Sequence, residues 1–512
     1  MEAIKDLSSF VIQPFRRKFL KAYCDRMSKD NLNCLWDDNV ASVLEEQGFS
    51  ILEAPRSVYR VEKLYQALAK YAPKSSPKID MDDRDVKVGV SLAYACFAKP
   101  KEDPCLELSD LTPDFIYKIT SNHKGSAGLT AWGQTKAESY VHAYECALRQ
   151  ISGEKRPDPC VAFKRTQFND KTRLVWGYPY AMTALEGLFA RPLIERLKQG
   201  DTPMAFGMST GVLGSKLRVA GRHKEWAYST DVSSFDSSIG QQLIKCAFNI
   251  LSTWFNLNEI ETTSGQSYKI IWKMIVNYFI HTPIVMPDGN IYKGKQHGVP
   301  SGSYFTQIID SVVNVILVGA ISSRFSLHVD KSDIFVLGDD ILFWSNRNVN
   351  LEHVAKYASS VFAMTFNAEK SSKYRYNEQI HYLGRDWMNG VPTLADSEIL
   401  KRMVQPETFR KYDDDKVKRE RQVRMLILSY VAVYRNAYHI YLKCMDWPRR
   451  YCCTNADIEN WVYTTGVTRR RDRSYRPNAD YMSGLARYLH KYVLNEHGSL
   501  GTFTPIALQF WK

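Results

Sequence analysis

The sequence predicts a helix-rich, mixed α/β (α+β) fold that is divided into several subdomains. The chain has 512 residues, which is more than one hydrophobic core usually organises. Short runs of β-branched and aromatic residues, such as 334–336 and 341–344, are typical of strands. A long apolar run, from about 304 to 322, is typical of a buried helix. Together these patterns predict strands and helices within one mixed fold.

Composition and charge indicate an intracellular protein with a polyanionic partner. The formal net charge is +13, which suggests nucleic acid, although a solvated basic surface would give the same value. The ten cysteines show no paired CxxC spacing, so we expect reduced thiols rather than a disulfide framework or a zinc site. The first residues lack the apolar core of a signal peptide. Because Gln307, Asp310 and Asn314 interrupt the longest apolar run, we expect a soluble protein without a membrane span.

Two early segments could contact RNA. The stretch 15–20 mixes basic and aromatic residues, and an amphipathic surface helix explains it equally well. The loop 124–129 begins with Lys124 and continues with small residues, including Ser126. Such a loop lets a nucleic-acid backbone approach closely, although a plain connecting loop has the same composition.

A basic strand is predicted at 171–177, where charged and apolar residues alternate. A row of cations on a strand could hold a triphosphate, because arginine contacts phosphate through two N–H groups. An edge strand carrying solubilising charges is the alternative. A helix is predicted to follow, at 184–199.

Asp231 ends a predicted strand, 226–231, and Asp236 lies near the start of a helical pattern. Asp236 could act as a helix N-cap, which is a common role for aspartate. Asp231 needs a partner, because a charge at the end of a buried strand is costly when unpaired. A metal shared with Asp339 would provide that partner.

The loop 296–303 leads into the long apolar helix, which Ser301 or Ser303 could cap. Within the helix, Thr306, Asp310 and Asn314 recur at four-residue steps and therefore lie on one face. Buried polar residues must be hydrogen-bonded. The face contacts either neighbouring strands or a hydroxyl-bearing substrate.

The segment 334–344 predicts a β-hairpin with Asp339 and Asp340 at its tip. Adjacent like charges on a tight turn are costly unless a cation lies on them. Hard Mg²⁺ ions prefer carboxylate oxygens and phosphate oxygens as ligands. A solvated Asp-Asp turn is the alternative.

Downstream of the hairpin, the sequence predicts a helix at 354–362, a lysine loop at 367–373 and a strand with a turn at 380–387. From about 396 the chain is predicted to be helical, most clearly at 423–444. Seven clustered arginines near the C-terminus could contact RNA phosphates or face solvent. They are Arg449, Arg450, Arg469, Arg470, Arg471, Arg473 and Arg476.

The order of these motifs resembles that of viral RNA-dependent RNA polymerases. A basic strand, Asp-x4-Asp, Ser-Gly-x3-Thr, Gly-Asp-Asp, a lysine loop and Leu-Gly-Arg follow one another between about 164 and 385. The sequence segments 173–179 and 298–307 are most similar to polymerases of small segmented double-stranded RNA viruses. Among these, the resemblance is greatest to partitiviruses and next to picobirnaviruses. The resemblance implies a closed right hand of fingers, palm and thumb, with the palm an antiparallel sheet flanked by helices.

The same resemblance implies a division of the chain and a set of site residues. The divisions are 1–60 bridging fingers and thumb, 61–205 fingers, 206–240 first part of the palm, 241–290 fingers insertion, 291–395 second part of the palm, and 396–512 thumb and C-terminal segment. The implied catalytic residues are Asp231, Asp339, Asp340 and Lys370, of which the three aspartates bind metal. The implied nucleotide-binding residues are Lys171, Arg173, Asp236, Ser301, Gly302, Thr306, Asp310 and Asn314. The implied RNA-binding residues are Lys124, Ser126, Leu383, Gly384 and Arg385.

The motif pattern does not settle the roles of residues at two positions. Asp310 stands where many relatives from positive-strand viruses have asparagine, and only asparagine donates through an amide. Lys373 lies near Lys370 and could take its role.

The resemblance implies RNA-directed RNA polymerase activity with two Mg²⁺ ions, for which Mn²⁺ could substitute. The expected partners are NTPs, an RNA template and product, and a capsid protein, for a monomeric enzyme in the virion interior or host cytoplasm. The alternatives are a reverse transcriptase and a non-catalytic RNA-packaging protein. A reverse transcriptase usually places a bulky residue after the first aspartate, whereas Ser233 and Ser234 occur here.

Overall fold

The structure is a computed structural model that describes residues 6–15, 18–30, 35–51, 59–167, 171–199, 201–367, 370–406, 410–431 and 440. The arginine clusters beyond residue 440 and most of the helix predicted at 423–444 lie outside the described residues.

Helices contribute more residues to the described chain than strands do. In order they are α1 Lys21–Met27, α2 Asp38–Glu46, α3 Val61–Ala69, α4 Arg84–Phe97, α5 Pro113–Ile119, α6 Lys136–Ile151, α7 Tyr180–Leu197, α8 Thr210–Ala220, α9 Phe235–Ser238, α10 Gln241–Ser252, α11 Tyr268–His281, α12 Thr306–Phe325, α13 Leu351–Phe362, α14 Asp396–Val404 and α15 Lys416–Val431. The strands are β1 Val11–Pro14, β2 Cys160–Gln167, β3 Lys171–Gly177, β4 Trp226–Thr230, β5 Ile284–Val285, β6 Asn290–Lys293, β7 Ile334–Leu337, β8 Asp340–Ser345, β9 Ser372–Arg375, β10 Ile380–Tyr382, β11 Arg385–Met388 and β12 Val391–Thr393. The mixed, helix-rich α/β fold is confirmed.

A four-stranded antiparallel sheet, in the order β7-β8-β4-β9, holds the acidic motifs. The β7–β8 hairpin closes through Gly338 and Asp339, so the predicted hairpin is confirmed. Gly338 has φ +67°, a backbone conformation that glycine adopts without strain. The outer edge of β7 is covered by residues 203–205, where Ala205 N–H donates to Val336 O at 2.9 Å.

A five-stranded sheet, in the order β1-β6-β5-β2-β3, holds the basic motif. β2 and β3 are antiparallel, and Lys164 lies opposite Leu174. The sheet ends at β3, so the predicted basic strand is an edge strand, as the alternative interpretation required. Charged side chains suit that position because they oppose pairing with a further strand.

The third sheet is the β10-β11-β12 meander. Its first turn is Leu383-Gly384 and its second is Asn389-Gly390, and all four residues have positive φ. Positive φ at both central residues defines the type I′ turn, which matches the twist of the flanking strands. Leucine is unusual there and costs on the order of 1 kcal/mol.

Helix α12 forms the centre of the core and packs along α4. The two backbones touch at Gly89 and Gly319, since a Cβ on Gly89 would lie 2.2 Å from Ile316 O. In length and hydropathy α12 could cross a membrane, yet 83% of its apolar window is buried inside the protein, as in the core helix of a soluble protein.

Several predicted boundaries were wrong in detail. The long helix begins at Thr306 rather than 304 because the preceding loop folds back on itself, and no serine side chain caps it. The helical pattern after Asp236 is broken at Gly240, where a new helix starts. Asp236 is the second residue of α9, so the N-cap interpretation was wrong; the N-cap residue is Ser234.

Candidate active site

The sheet register brings the two acidic motifs to one edge. β4 and β8 are antiparallel, with Thr230 opposite Ile341. Continuing the register by one residue puts Asp231 opposite Asp340, at the end of the strands where the hairpin turns. Directly opposed residues have Cα atoms roughly 5 Å apart. Asp231, Asp339 and Asp340 therefore converge, although more than one hundred residues separate them in the chain.

The carboxylates at this edge repel one another. Desolvation, followed by the charges of Asp339 and Asp231, raises the pKa of Asp340 to about 6. His381 and Lys370 act in the opposite direction and lower it. A site that accumulates like charge in this way is arranged to receive a cation.

Lys370 is the cation that the fold itself brings to the site. Its Nζ lies 3.3 Å from Asp231 Oδ2. The surrounding loop is fixed by backbone contacts, because Asn367 N–H donates to Asp231 O at 2.7 Å. Lys373 points elsewhere, with its Nζ donating to Asn348 Oδ1 at 2.8 Å and lying over the Trp226 ring. The geometry therefore distinguishes the two lysines that the sequence offered for one role: Lys370 contacts Asp231, and Lys373 does not.

The loop between Asp231 and Asp236 is strained and held in place. Ser234 has φ +56° and ψ +44°, a left-handed conformation that L-residues rarely adopt. Lys70 Nζ donates to Ser234 Oγ at 2.6 Å. Desolvation and the charge of Asp339 raise the pKa of Asp236 to about 6, while the nearby Arg173 guanidinium lowers it. Asp236 is thus close enough to feel both the Asp339 carboxylate at the sheet edge and Arg173 of the basic strand.

The loop 297–303 packs on the basic strand. Ser301 Oγ accepts a hydrogen bond from Trp176 N–H at 3.2 Å. Gly302 has no room for a side chain, since a Cβ there would lie 2.1 Å from Trp176 O. Ser301 and Gly302 therefore join β3 to the start of α12. The side chain of Lys171 lies outside the described residues, so its place relative to Arg173 stays a prediction.

Glu186 is a site residue that the sequence analysis missed. It is fully buried in α7, accepts from Ser303 Oγ at 2.7 Å, and accepts from Tyr304 N–H at 2.8 Å. Burial raises its pKa to about 7, and these hydrogen bonds oppose the rise. A glutamate inside an otherwise apolar helix was the signal that could have revealed it.

The polar face of α12 has two different uses. Asn314 donates through Nδ2 to Gly338 O at 3.0 Å and to Asp339 O at 3.2 Å. Thr306 donates to Pro300 O at 2.7 Å. Asn314 therefore fixes the hairpin turn, and Thr306 fixes the loop before the helix. Their contact with the nucleotide stays a prediction.

Asp310 remains the member of this face that turns toward the site. It is 3% exposed, and its Oδ1 has no hydrogen-bond partner among the described residues. Burial, then the charges of Asp236 and Asp339, raises the pKa of Asp310 well above its ordinary value. A buried carboxyl without a cation therefore favours its neutral form, which can donate as asparagine does.

We expect Asp310→Asn to stabilise the metal-free protein at alkaline pH. The pKa of Asp310 is near 3.8 in the unfolded chain and well above that value in the folded protein. The side chain therefore makes its full contribution to stability below pH 3.8, and this contribution is lost as the pH rises toward the pKa in the folded protein. Asparagine does not ionise, so the thermal midpoint of the variant should exceed that of wild type at pH 8 and approach it near pH 5.

The matched control is Asp333→Asn, at a second buried aspartate that has a cation partner. Lys224 Nζ lies 2.9 Å from Asp333 Oδ2. Breaking a buried pair leaves an uncompensated charge, so this variant should be less stable than wild type. If Asp310→Asn also lowers the midpoint at pH 8, the neutral-carboxyl account of Asp310 is wrong.

A segment far upstream packs against β3 and the loop 297–303. Tyr71, just after α3, lies edge-on to Trp176 with ring centroids 5.2 Å apart. The charges of both Asp236 and Asp310 act on its hydroxyl. His297 pairs through Nε2 with Lys70 O at 3.0 Å. Helical periodicity alone could not predict these contacts, because the partners are more than one hundred residues apart.

The predicted RNA-binding residues lie on two loops at the periphery. Ser126 accepts from Gly128 N–H at 3.2 Å. Lys124 and Ser126 are both exposed. Leu383 and Gly384 form the tip of the β10–β11 hairpin. Arg385 donates from Nη1 to Thr210 Oγ1 at 3.0 Å, so the hairpin is tied to α8.

The acidic edge suits a divalent cation by its chemistry. Asp231, Asp339 and Asp340 offer only oxygen ligands, as Mg²⁺ and Mn²⁺ prefer. Within the described ranges no group of three acidic, histidine or cysteine side chains lies close enough together to hold a metal ion. Asp231 is paired with Lys370.

Comparison with known protein families gives a match over most of the chain. The model of the viral RNA-dependent RNA polymerase family matches residues 51–406. The RNA-directed RNA polymerase of Cryptosporidium parvum virus 1 (strain KSU-1) is 33% identical over 218 residues, 41% of this chain and 37% of the relative. That of White clover cryptic virus 1 is 25% identical over 252 residues, 44% of this chain and 40% of the relative. The chain therefore matches about two fifths of the length of these relatives.

Solved structures of low identity share the fold. The crystal structure of the RNA-dependent RNA polymerase of a human picobirnavirus has a TM-score of 0.67 at 16% identity, covering 94% of this chain and 95% of that chain. The Sicinivirus 3Dpol RNA-dependent RNA polymerase has a TM-score of 0.60 at 16% identity, covering 84% of this chain and 95% of that chain. The resemblance inferred from the motifs is confirmed.

Proposed function

The chain belongs to the viral RNA-dependent RNA polymerase family, and we propose that it copies an RNA template by joining ribonucleoside triphosphates to an RNA 3′-hydroxyl. The observation that carries the proposal is the β4–β8 register, which puts Asp231 beside Asp339 and Asp340. Two separated acidic motifs at one sheet edge, with basic residues across from them, match the needs of nucleotidyl transfer.

Asp231 and Asp339 would hold two Mg²⁺ ions, with Asp340 beside them and Mn²⁺ as a possible substitute. When bound, such a pair of ions activates the attacking hydroxyl and stabilises the leaving oxygens. The chain's own contribution is the fixed backbone of the hairpin turn, which Asn314 holds through two carbonyl groups. The like charges of the three aspartates are relieved when cations bind.

The nucleotide would lie between this edge and β3. Arg173 and Lys171 would bind the triphosphate, because cations offset charge that spreads over the phosphates in the transition state. Asp236 would accept a hydrogen bond from the ribose, with Asp310 behind it and Ser301 and Gly302 forming the wall next to β3. The mutual electrostatic influence of Arg173, Asp236 and Asp339 supports one shared pocket.

Lys370 would protonate the leaving pyrophosphate. We expect Lys370→Ala to lower kcat about 100-fold with little change in KM for NTP, since a general acid acts in the transition state. Lys373→Ala is the matched control, and its kcat should stay within about 3-fold of wild type because Lys373 contacts Asn348 instead. Equal losses in the two variants, or a loss confined to KM, would contradict the assignment.

RNA would be held on both sides of this centre. Lys124 and Ser126 would contact the template, and Leu383, Gly384 and Arg385 would support the primer end. In the same proposal, 61–205 would form the fingers, 206–240 and 291–395 the palm, 241–290 an insertion in the fingers, and 396–512 the thumb and C-terminal segment. Residues 1–60 would bridge fingers and thumb. Two observations support that role: β1 belongs to the sheet that contains β2 and β3, and Asp37 Oδ2 lies 2.9 Å from Arg410 Nη1.

In the wider proposal the enzyme is a monomer that transcribes and replicates a double-stranded RNA genome. It would act without a membrane, in the virion interior or the host cytoplasm, and contact the capsid protein. The viral origin of the relatives supports this setting.

Primer extension by the purified chain tests the function. The expected result is Mg²⁺-dependent extension of an RNA primer on an RNA template with NTPs, and none with EDTA. Preference for dNTPs would favour a reverse transcriptase, and RNA binding without extension would favour a packaging protein. Either outcome would reject the proposed function.

A further inference from the structure

Tyr382, in β10, has a hydroxyl that the packing of the protein does not use. The side chain is 2% exposed, and its Oη has no hydrogen-bond partner among the described residues. It packs in a cluster with Phe335, Leu342 and Trp344, whose side chains offer no oxygen acceptor. A buried hydroxyl without a partner is destabilising, and phenylalanine would fill the same space without one. The hydroxyl therefore calls for an explanation other than packing.

The strand β8 directs Asp340 toward the side of the sheet on which Tyr382 lies. Leu342 and Trp344 of β8 belong to the cluster that contains Tyr382, whereas the residues between and before them, 341 and 343, pack in the core around α12. Side chains alternate along a strand. Asp340, the first residue of β8, therefore projects from the same face as Leu342. The strand β10 itself lies against β4 and β8.

Electrostatics agree with this placement. The charge of Asp340 adds to burial in raising the pKa of the Tyr382 hydroxyl well above its ordinary value. The Asp340 carboxylate must be near the hydroxyl to act on it, because Coulomb interactions weaken with distance. The two groups are thus neighbours, although no hydrogen bond joins them.

The Tyr382 side chain is held in place by the meander. Trp387 Nε1 donates to Tyr382 O at 2.9 Å, and Tyr382 pairs with Arg385 across the β10–β11 hairpin. A fixed donor beside a metal-binding carboxylate can orient that carboxylate, since a hydrogen bond to one oxygen leaves the other oxygen for the ion.

We propose that Tyr382 is a positioning residue for the metal centre, and that its hydroxyl donates to one carboxylate oxygen of Asp340 when divalent ions bind. Carboxylates that bind metal ions are themselves hydrogen-bonded, and these bonds set their orientation. The inference rests on the proposed function, because the ion site belongs to that proposal.

Binding of Mn²⁺ to the full chain, without RNA or NTP, tests this role. Electron paramagnetic resonance of the free Mn²⁺ gives the apparent Kd. Tyr382→Phe should raise this Kd about 10- to 100-fold, the usual effect of removing a hydrogen-bond partner of a metal ligand. Tyr357→Phe is the matched control and should bind Mn²⁺ as wild type does. The Tyr357 hydroxyl also lacks a partner among the described residues, and the charge of a different carboxylate, Asp85, acts on it.

Thermal midpoints distinguish positioning from a role in the fold. Without divalent ions, the midpoint of Tyr382→Phe should equal or exceed that of wild type, because the variant removes an unpaired buried hydroxyl. Added Mn²⁺ should raise the midpoint of wild type more than that of the variant, since an ion stabilises the native state more when it binds more tightly. A lower midpoint of Tyr382→Phe without ions would assign the hydroxyl to the fold and overturn the inference.

A double-mutant cycle tests whether Asp340 is the acceptor. In an Asp340→Ala background, Tyr382→Phe should change the Kd for Mn²⁺ by about 2-fold or less, because the group that it orients is gone. An undiminished effect of Tyr382→Phe in that background would overturn the inference.

Failure here is distinguishable from failure of the proposed function. If wild type binds Mn²⁺ and extends primers while Tyr382→Phe binds Mn²⁺ equally well, only the role of Tyr382 is rejected. If Tyr382→Phe weakens Mn²⁺ binding while wild type does not extend primers, the positioning role is supported and the polymerase proposal is rejected. Absence of Mn²⁺ binding by wild type would reject both.

Discussion

Replacing Asp339 with alanine will abolish primer extension without unfolding the protein. We expect a loss of roughly 1,000-fold in kcat or more, because metal coordination provides several kcal/mol of transition-state stabilisation and each 1.4 kcal/mol is tenfold in rate. The fold should tolerate the change, since the charge of Asp339 raises the pKa values of Asp340, Asp236 and Asp310. Removing a repelling charge does not destabilise the metal-free protein.

Single-turnover extension assays and thermal midpoints would be measured side by side for Asp339→Ala. Asp25→Asn, at an exposed aspartate of α1, is the matched control for loss of one carboxylate and should keep wild-type activity. Extension by Asp339→Ala within tenfold of wild type would refute its role, whereas a lower midpoint in the metal-free protein would show that the side chain serves the fold.

Replacing Asp236 with alanine will reduce the preference of the enzyme for NTP over dNTP. We expect kcat/KM for NTP to fall roughly 10- to 150-fold, the effect of losing one hydrogen bond to a charged group. The value for dNTP should change little, because a deoxyribose makes no such bond. The ratio of the two values, measured on one RNA template, is the readout.

Ser238→Ala is the matched control for Asp236→Ala. Ser238 lies in the same short helix and donates to Phe235 O at 2.8 Å, so it reports local disturbance of α9. An equal fall for NTP and dNTP in Asp236→Ala would assign Asp236 to general positioning of the nucleotide rather than to ribose selection.

Much of the local structure follows from the sequence because its causes are local. Alternating residues at 171–177 and a glycine between two apolar runs at 334–344 identified β3 and the β7–β8 hairpin correctly. The meeting of Asp231 and Asp339 was different, since spacing alone does not determine which strands pair. That expectation came from the order of the motifs.

The contacts of the polar face of α12 could not be predicted for the same reason. Four-residue spacing showed that Thr306, Asp310 and Asn314 share a face, but not which neighbour each would meet. The sequence left contact with either neighbouring strands or a substrate open for this face, and the structure shows that Asn314 holds the hairpin turn. Glu186 was missed because its long-range partner, Ser303, lies 117 residues away.

We infer that Asp231 and Asp339 share divalent ions beside a nucleotide. An anomalous difference map from crystals grown with Mn²⁺, a primer–template RNA and a non-hydrolysable NTP would show this directly. We expect two manganese peaks about 3.5–4 Å apart, with carboxylate oxygens of both Asp231 and Asp339 among their ligands. Peaks bound by only one of these residues, or found away from the β4–β8 edge, would contradict it.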